Sequence, residues 1–210
     1  MKPDEFISKY SKNLQPVHPI GSIKKNIFIF LIISIISIIS YVLIKSEFLR
    51  YIYIPEFLYE DFVVVFILVI SLILVLREST PGFLIKRKYY YLPFGLLGIW
   101  LLSLFARYFL QEDFSQEIKY VYHDCITDTI FMSLASIFTI VFIVNKRVPF
   151  RRELIGFWIF LICSSGSALG VSVLCPDERS SHLIVFHFIP VLGMSLAGLL
   201  LGKYLFRDLI

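Results

Sequence analysis

Six apolar blocks, each close to the length that crosses a lipid bilayer, decide what this chain can fold into. They cover about residues 26–44, 60–76, 90–110, 125–144, 154–174 and 183–202. A helix needs roughly 20 apolar residues to cross about 30 Å of hydrocarbon. Hydrophobic residues make up 58% of the 210, and the mean hydropathy is +0.80. One water-soluble core of this size cannot hide so much apolar surface. Lipid offers no water to backbone N–H and C=O groups, so each block must satisfy them internally. The blocks are too long and too uniformly apolar for barrel strands, and are expected to be helices. The expected fold is therefore all-α: a polytopic bundle of six transmembrane helices over 26–210 with short loops, preceded by a tail over 1–25.

Charge sets the expected orientation. With the N-terminus inside, the inner segments hold 15 Lys and Arg, among them Lys24, Lys25, Arg77, Arg151, Arg152 and Lys203, and the outer segments hold 5. Basic residues favour the cytoplasmic side, so both termini are expected there, in a bacterial inner membrane. The basic residues sit in short loops, as topology signals do, and the net charge of +4 gives no reason to expect direct nucleic-acid binding. The first block is longer than a signal-peptide core and no A-x-A site follows it, so it is expected to stay as a span.

The tail is the one inner segment with room for a protein partner. Phe6, Tyr10 and Leu14 recur at i, i+4 and i+8 with Ile7 beside them, the stripe of a short amphipathic helix. Pro16 ends it, because the residue before a proline is pushed out of helical geometry. So short a helix is marginal alone in water and needs a surface, either membrane lipid or protein. Gly166-x-x-x-Gly170 and Gly198-x-x-x-Gly202 allow close helix approach, within the bundle or across a homodimer. Pro190 is expected to kink or break the sixth span.

The chemistry-bearing residues gather at the outer ends of the last three spans. His123 and Cys125 lead into the fourth, Cys175 follows the fifth, and His182 and His187 open the sixth. Three readings stay open: a disulfide or redox pair between Cys125 and Cys175 in an oxidising compartment, a metal ion held by cysteines and histidines, or packing alone. Asp128 lies one turn into the fourth span, as a functional carboxylate or one solvated from outside. No metalloprotease, nucleophile-elbow, phosphate-loop or dinucleotide motif occurs, so no enzyme and no organic cofactor are expected. A small transporter or metal-binding membrane protein using the outer His/Cys/Asp cluster is the alternative.

In their order along the chain, several motifs resemble the NrsF-type family of six-span membrane anti-sigma factors. They are Pro16-Val17-x-Pro19 in the tail, Pro81-Gly82 after the second span, Cys125, Gly156, the segment Cys175-Pro-Asp-Glu-Arg-Ser-Ser-His182, and Phe186-His187. The resemblance implies that the chain holds an extracytoplasmic-function (ECF) sigma factor inactive and releases it on a stress signal. It would place signal sensing on Cys125 and Cys175. Sigma-factor binding would fall on the tail, through Phe6, Ile7, Tyr10, Leu14, Pro16 and Val17. Two departures are visible: Ser79-Thr80 stands where an Arg often precedes Pro-Gly, and the spans are rich in Ile and Phe rather than Ala and Leu.

Overall fold

The structure is a computed structural model, and it describes residues 23–44, 58–79, 87–111, 124–145, 151–175, 177 and 179–206. Among these, every regular element is helical. The spans are α1 (Ile23–Ile44), α2 (Leu58–Glu78), α3 (Leu92–Gln111), α4 (Asp124–Asn145), α5 (Arg152–Ser172) and the composite α6 (Ser180–Leu205). A 3-10 turn over Arg87–Tyr91 leads into α3. All six are long and apolar enough to cross a membrane. The expected blocks agree with the helices to within a few residues, because the apolar runs and the charges that bound them are both unambiguous. The tail residues Phe6, Ile7, Tyr10, Leu14, Pro16 and Val17 lie outside the described residues, as does His123.

α5 is the axis of the bundle. Its span is 83% buried against 11% for α1, and it packs on α6, α2 and α4, while α3 packs on α2 and α1 on α4. Two of the serines that look out of place in so buried a helix satisfy themselves locally: Ser164 Oγ donates to the Phe160 carbonyl and Ser167 Oγ to that of Cys163. Such back-bonding lets a hydroxyl enter an apolar interior without an unmet donor.

Glycine sets the α5–α6 distance. A Cβ on Gly156 would run into the Gly198 carbonyl and the Gly202 Cα, and one on Gly202 would meet the Arg152 carbonyl. The Gly198-x-x-x-Gly202 spacing is thus used inside the bundle. Gly170 makes room for α1, since its Cβ would lie 2.9 Å from Ile38.

The two ends of the bundle differ. At the basic end, Tyr90 turns inward, gives its hydroxyl hydrogen to Glu78, stacks on Trp158 at 5.4 Å and lies beneath the Arg151 guanidinium at 4.7 Å. Tyr89, Tyr90 and Tyr91 are consecutive in the 3-10 turn before α3. In a 3-10 turn, with three residues per turn, consecutive side chains point three ways, so Tyr90 is buried while its neighbours stay exposed. At the opposite end, which carries the cysteines, the buried pair Arg107–Glu60 ties α3 to α2 at 3.0 Å.

The glycine contact makes a direct test. Gly156→Ala should cost at least about 1–3 kcal/mol by overpacking and lower the thermal unfolding temperature of the full chain in lipid nanodiscs. Gly193→Ala, where nothing lies within 4 Å of the added carbon, should leave it unchanged or slightly raised.

A candidate Cys/His centre

Four side chains from three elements converge at the cysteine end. Cys125 is the second residue of α4, and Thr129 Oγ1 donates to its carbonyl at 2.8 Å. Cys175 sits in the turn that closes α5, where its N–H and that of Leu174 both donate to the Val171 carbonyl at 2.9 Å. His182 lies in the first turn of α6, and His187 in the π-helical stretch Leu183–Phe188.

The winding of α6 brings the two histidines together. In an α-helix, residues five apart point about 140° apart. The π-helix hydrogen-bonds five residues back rather than four, as the Ile189 N–H does to the Ile184 carbonyl. The wider winding returns residues five apart to nearly one face. Pro190 supplies the local reason: it has no N–H, and its ring crowds the carbonyl four residues back. The expected disturbance at Pro190 is therefore a π-helical stretch just before it.

One ligating atom from each of Cys125, Cys175, His182 and His187 lies within 4.8 Å of all the others, and all four residues are buried. His182 Nε2 is 3.2 Å from Cys175 Sγ and 3.7 Å from Cys125 Sγ. Its other nitrogen, Nδ1, lies 3.6 Å from Asp177 Oδ2. Arg179 in turn grips Asp177 with Nε at 2.9 Å, Nη2 at 2.6 Å and its backbone N–H at 3.1 Å. Phe186 stacks on the His182 ring at 4.7 Å. His187 Nε2 is buried with no hydrogen-bond partner among the described residues.

The electrostatics favour ionised sulfur at Cys175. The neighbouring Cys125 thiol, opposed by burial but joined by His182 and His187, holds the Cys175 thiol well below its ordinary range. Burial alone would raise the Asp177 carboxyl, but hydrogen bonds from Arg179 and the charge of His182 keep it below its usual value. A lowered thiol marks a nucleophile or a metal ligand. Cys175, His182 and Asp177 have the order of a thiol–imidazole–carboxylate relay. All three are largely enclosed, and the adjoining cavity, lined by Glu60, Asp61, Trp100, Ser172 and His187, measures about 30 Å³. That is room for a water molecule and far too little for a substrate.

The structure brings together both cysteines and two of the three histidines that sequence reading singled out. Both are free thiols here, as is Cys163, which is buried in the core. Sequence reasoning missed Asp177 and Arg179. Asp-x-Arg directly between Cys175 and His182 was the available signal, because a carboxylate beside a histidine of a centre orients its ring. Asp128 is buried and accepts a hydrogen bond from Tyr41 at 2.6 Å, so it is not a carboxylate lying open to solvent.

A bundle of six spans long and apolar enough to cross a membrane, with a buried Cys/His cluster at one end, defines the class as a polytopic membrane protein. The model of the NrsF family, described as negative regulator of sigma F, matches residues 11–207, and the chain belongs to that family. Its place there makes it a negative regulator of a sigma factor. No curated protein and no solved structure matches it.

Thiol labelling of the full chain in nanodiscs checks the geometry. A small maleimide should modify Cys175 first and Cys163 last, as read by mass spectrometry of peptides. Equal rates would contradict the placement of Cys175 in the centre and Cys163 in the core.

Proposed function

We propose that the protein is a membrane-embedded anti-sigma factor. Its N-terminal tail holds an ECF sigma factor at the cytoplasmic face and releases it when the centre at the outer face takes up a thiophilic metal ion. Family membership supports the sigma-factor partner. The excess of basic residues at the tail's side of the membrane supports the orientation. The apolar stripe Phe6, Ile7, Tyr10 and Leu14, followed by Pro16 and Val17, supports the tail as the binding segment.

The observation that carries the metal reading is the meeting of two cysteines and two histidines within 4.8 Å. A tetrahedral ion with sulfur at about 2.3 Å and nitrogen at about 2.0–2.1 Å sets ligand separations of about 3.3–3.8 Å. The Sγ–Nε2 distances from His182 to the two cysteines, 3.2 and 3.7 Å, already fall near that range. Thiolate and imidazole together suit Zn(II), Cd(II) or Cu(I) rather than Mg(II) or Ca(II). A buried His187 nitrogen without a hydrogen-bond partner among the described residues and a lowered Cys175 thiol both suit a set of metal ligands. A purely redox pair of thiols would need neither histidine.

Two experiments test this. Zn(II) should bind the purified full chain at one site. Cys175→Ser or His187→Ala should abolish measurable binding, and Asp177→Asn should weaken it about 10- to 100-fold without changing thermal stability in the metal-free protein. Loss of both thiols to an oxidant, with no Zn(II) uptake by the reduced protein, would replace the metal reading with a disulfide switch. For the tail, the co-expressed sigma factor should purify with the wild-type chain and be lost from the double variant Phe6→Asp, Tyr10→Asp. Retention would remove the tail from the account.

A further inference from the structure

We propose that α1 carries the signal between the Cys/His centre and the tail, and that the Tyr41–Asp128 hydrogen bond is the latch that holds it. The proposal rests on the regulatory reading above and concerns the step that reading leaves open: how an event at one end of the bundle reaches the other.

α1 is the span that the tail runs into. It is also the most loosely held of the six, its span being 11% buried. Among its described side chains only Phe30 and Val42 are buried. Phe30 joins the main core, whereas Val42 belongs to the separate apolar cluster that contains Cys125, Cys175 and Phe186, with Ile38 and Tyr41 packed against it. The end of α1 far from the tail is therefore seated on the centre itself.

A polar contact to α4 fastens the seat. Tyr41 Oη donates to Asp128 Oδ1 at 2.6 Å across a sequence separation of 87 residues. Asp128 is 6% exposed, so losing this partner would leave a carboxyl buried without it. Asp128 lies three residues after Cys125 on α4, one helical turn away, on the same side of the helix. Gly170 of α5 gives the close approach that presses Ile38 into the same place.

These contacts make a mechanical link. The four ligating atoms lie within 4.8 Å of one another, with two pairs at 3.2 and 3.7 Å, and tetrahedral coordination draws the wider pairs to about 3.3–3.8 Å. That contraction moves the first turn of α4 through Cys125, and Asp128 moves with it. The latch and the contracted centre therefore oppose each other. By linkage, whatever weakens the latch favours the released state and tightens metal binding by the same factor.

The test uses the full chain with its sigma factor. Tyr41→Phe removes one hydroxyl and leaves the packing. It should raise sigma-dependent reporter output without added metal by about five- to tenfold, and tighten Zn(II) binding to the purified protein by a similar factor. Asp128→Asn keeps the shape and part of the hydrogen bond, and should shift both readouts the same way by less; it stands in if Tyr41→Phe does not accumulate. Unchanged reporter output and Zn(II) affinity in either accumulated variant would overturn the proposal. Derepression with weakened Zn(II) binding would also overturn it, because that is general loss of the bundle. If the wild-type chain takes up no Zn(II) while Tyr41→Phe still derepresses, the metal reading fails and the latch stands.

Discussion

The absence of water inside a bilayer governs the cysteine end of this bundle. A polar group there needs a partner from the protein, and so does every backbone carbonyl that a proline leaves unserved. Pro190 creates that problem in α6, and the chain answers it by winding wider over Leu183–Phe188. The wider turn places His182 and His187 on the side where α4 and the end of α5 deliver Cys125 and Cys175. Glycines at the other end of the same helix pair let α5 and α6 lie in backbone contact. Without that contact α6 would stand off, and its histidines with it. A backbone constraint and a packing constraint on one helix therefore support one group of four side chains.

The six spans were legible in the sequence because their signal is length and hydropathy, which tertiary context does not overrule. That Cys125 and Cys175 share one end of the bundle was legible as well, since both sit at span ends on one side. What joins them was not. His182 and His187 are five residues apart, a spacing that no α-helical reading brings to one face, and only the π-helical stretch makes them neighbours. Asp177 reads as an acidic loop residue until Arg179 and His182 are seen on either side of it. Tyr41 reads as an interfacial aromatic, and its bond to Asp128 crosses 87 residues that local pattern cannot span. Tyr90 followed the same course at the basic end, where a 3-10 turn split three like residues between the core and the surface.

The distribution of burial gives these contacts a functional sense. α5 is enclosed on nearly all sides and acts as the fixed frame, whereas α1 rests against it lightly. A regulator that must respond needs one element of low stability beside a rigid scaffold. Here the loosely held helix continues into the proposed sigma-binding tail at one end and touches the Cys/His centre at the other. Arg107–Glu60 ties α2 to α3, and Tyr90–Glu78 ties α2 to the 3-10 turn before α3; neither pair involves α1. The same arrangement makes α4 the shared partner, since it carries both a cysteine of the centre and the carboxyl that α1 holds.

The central claim is that a metal ion joins two sulfurs and two imidazoles across α4, α5 and α6. X-ray absorption at the zinc edge, on the full chain loaded with Zn(II) in nanodiscs, reads that first coordination sphere directly. The account predicts two sulfur scatterers at about 2.3 Å and two nitrogen scatterers at about 2.0–2.1 Å, with imidazole multiple scattering. A shell of oxygen and nitrogen alone, with no sulfur, would contradict it.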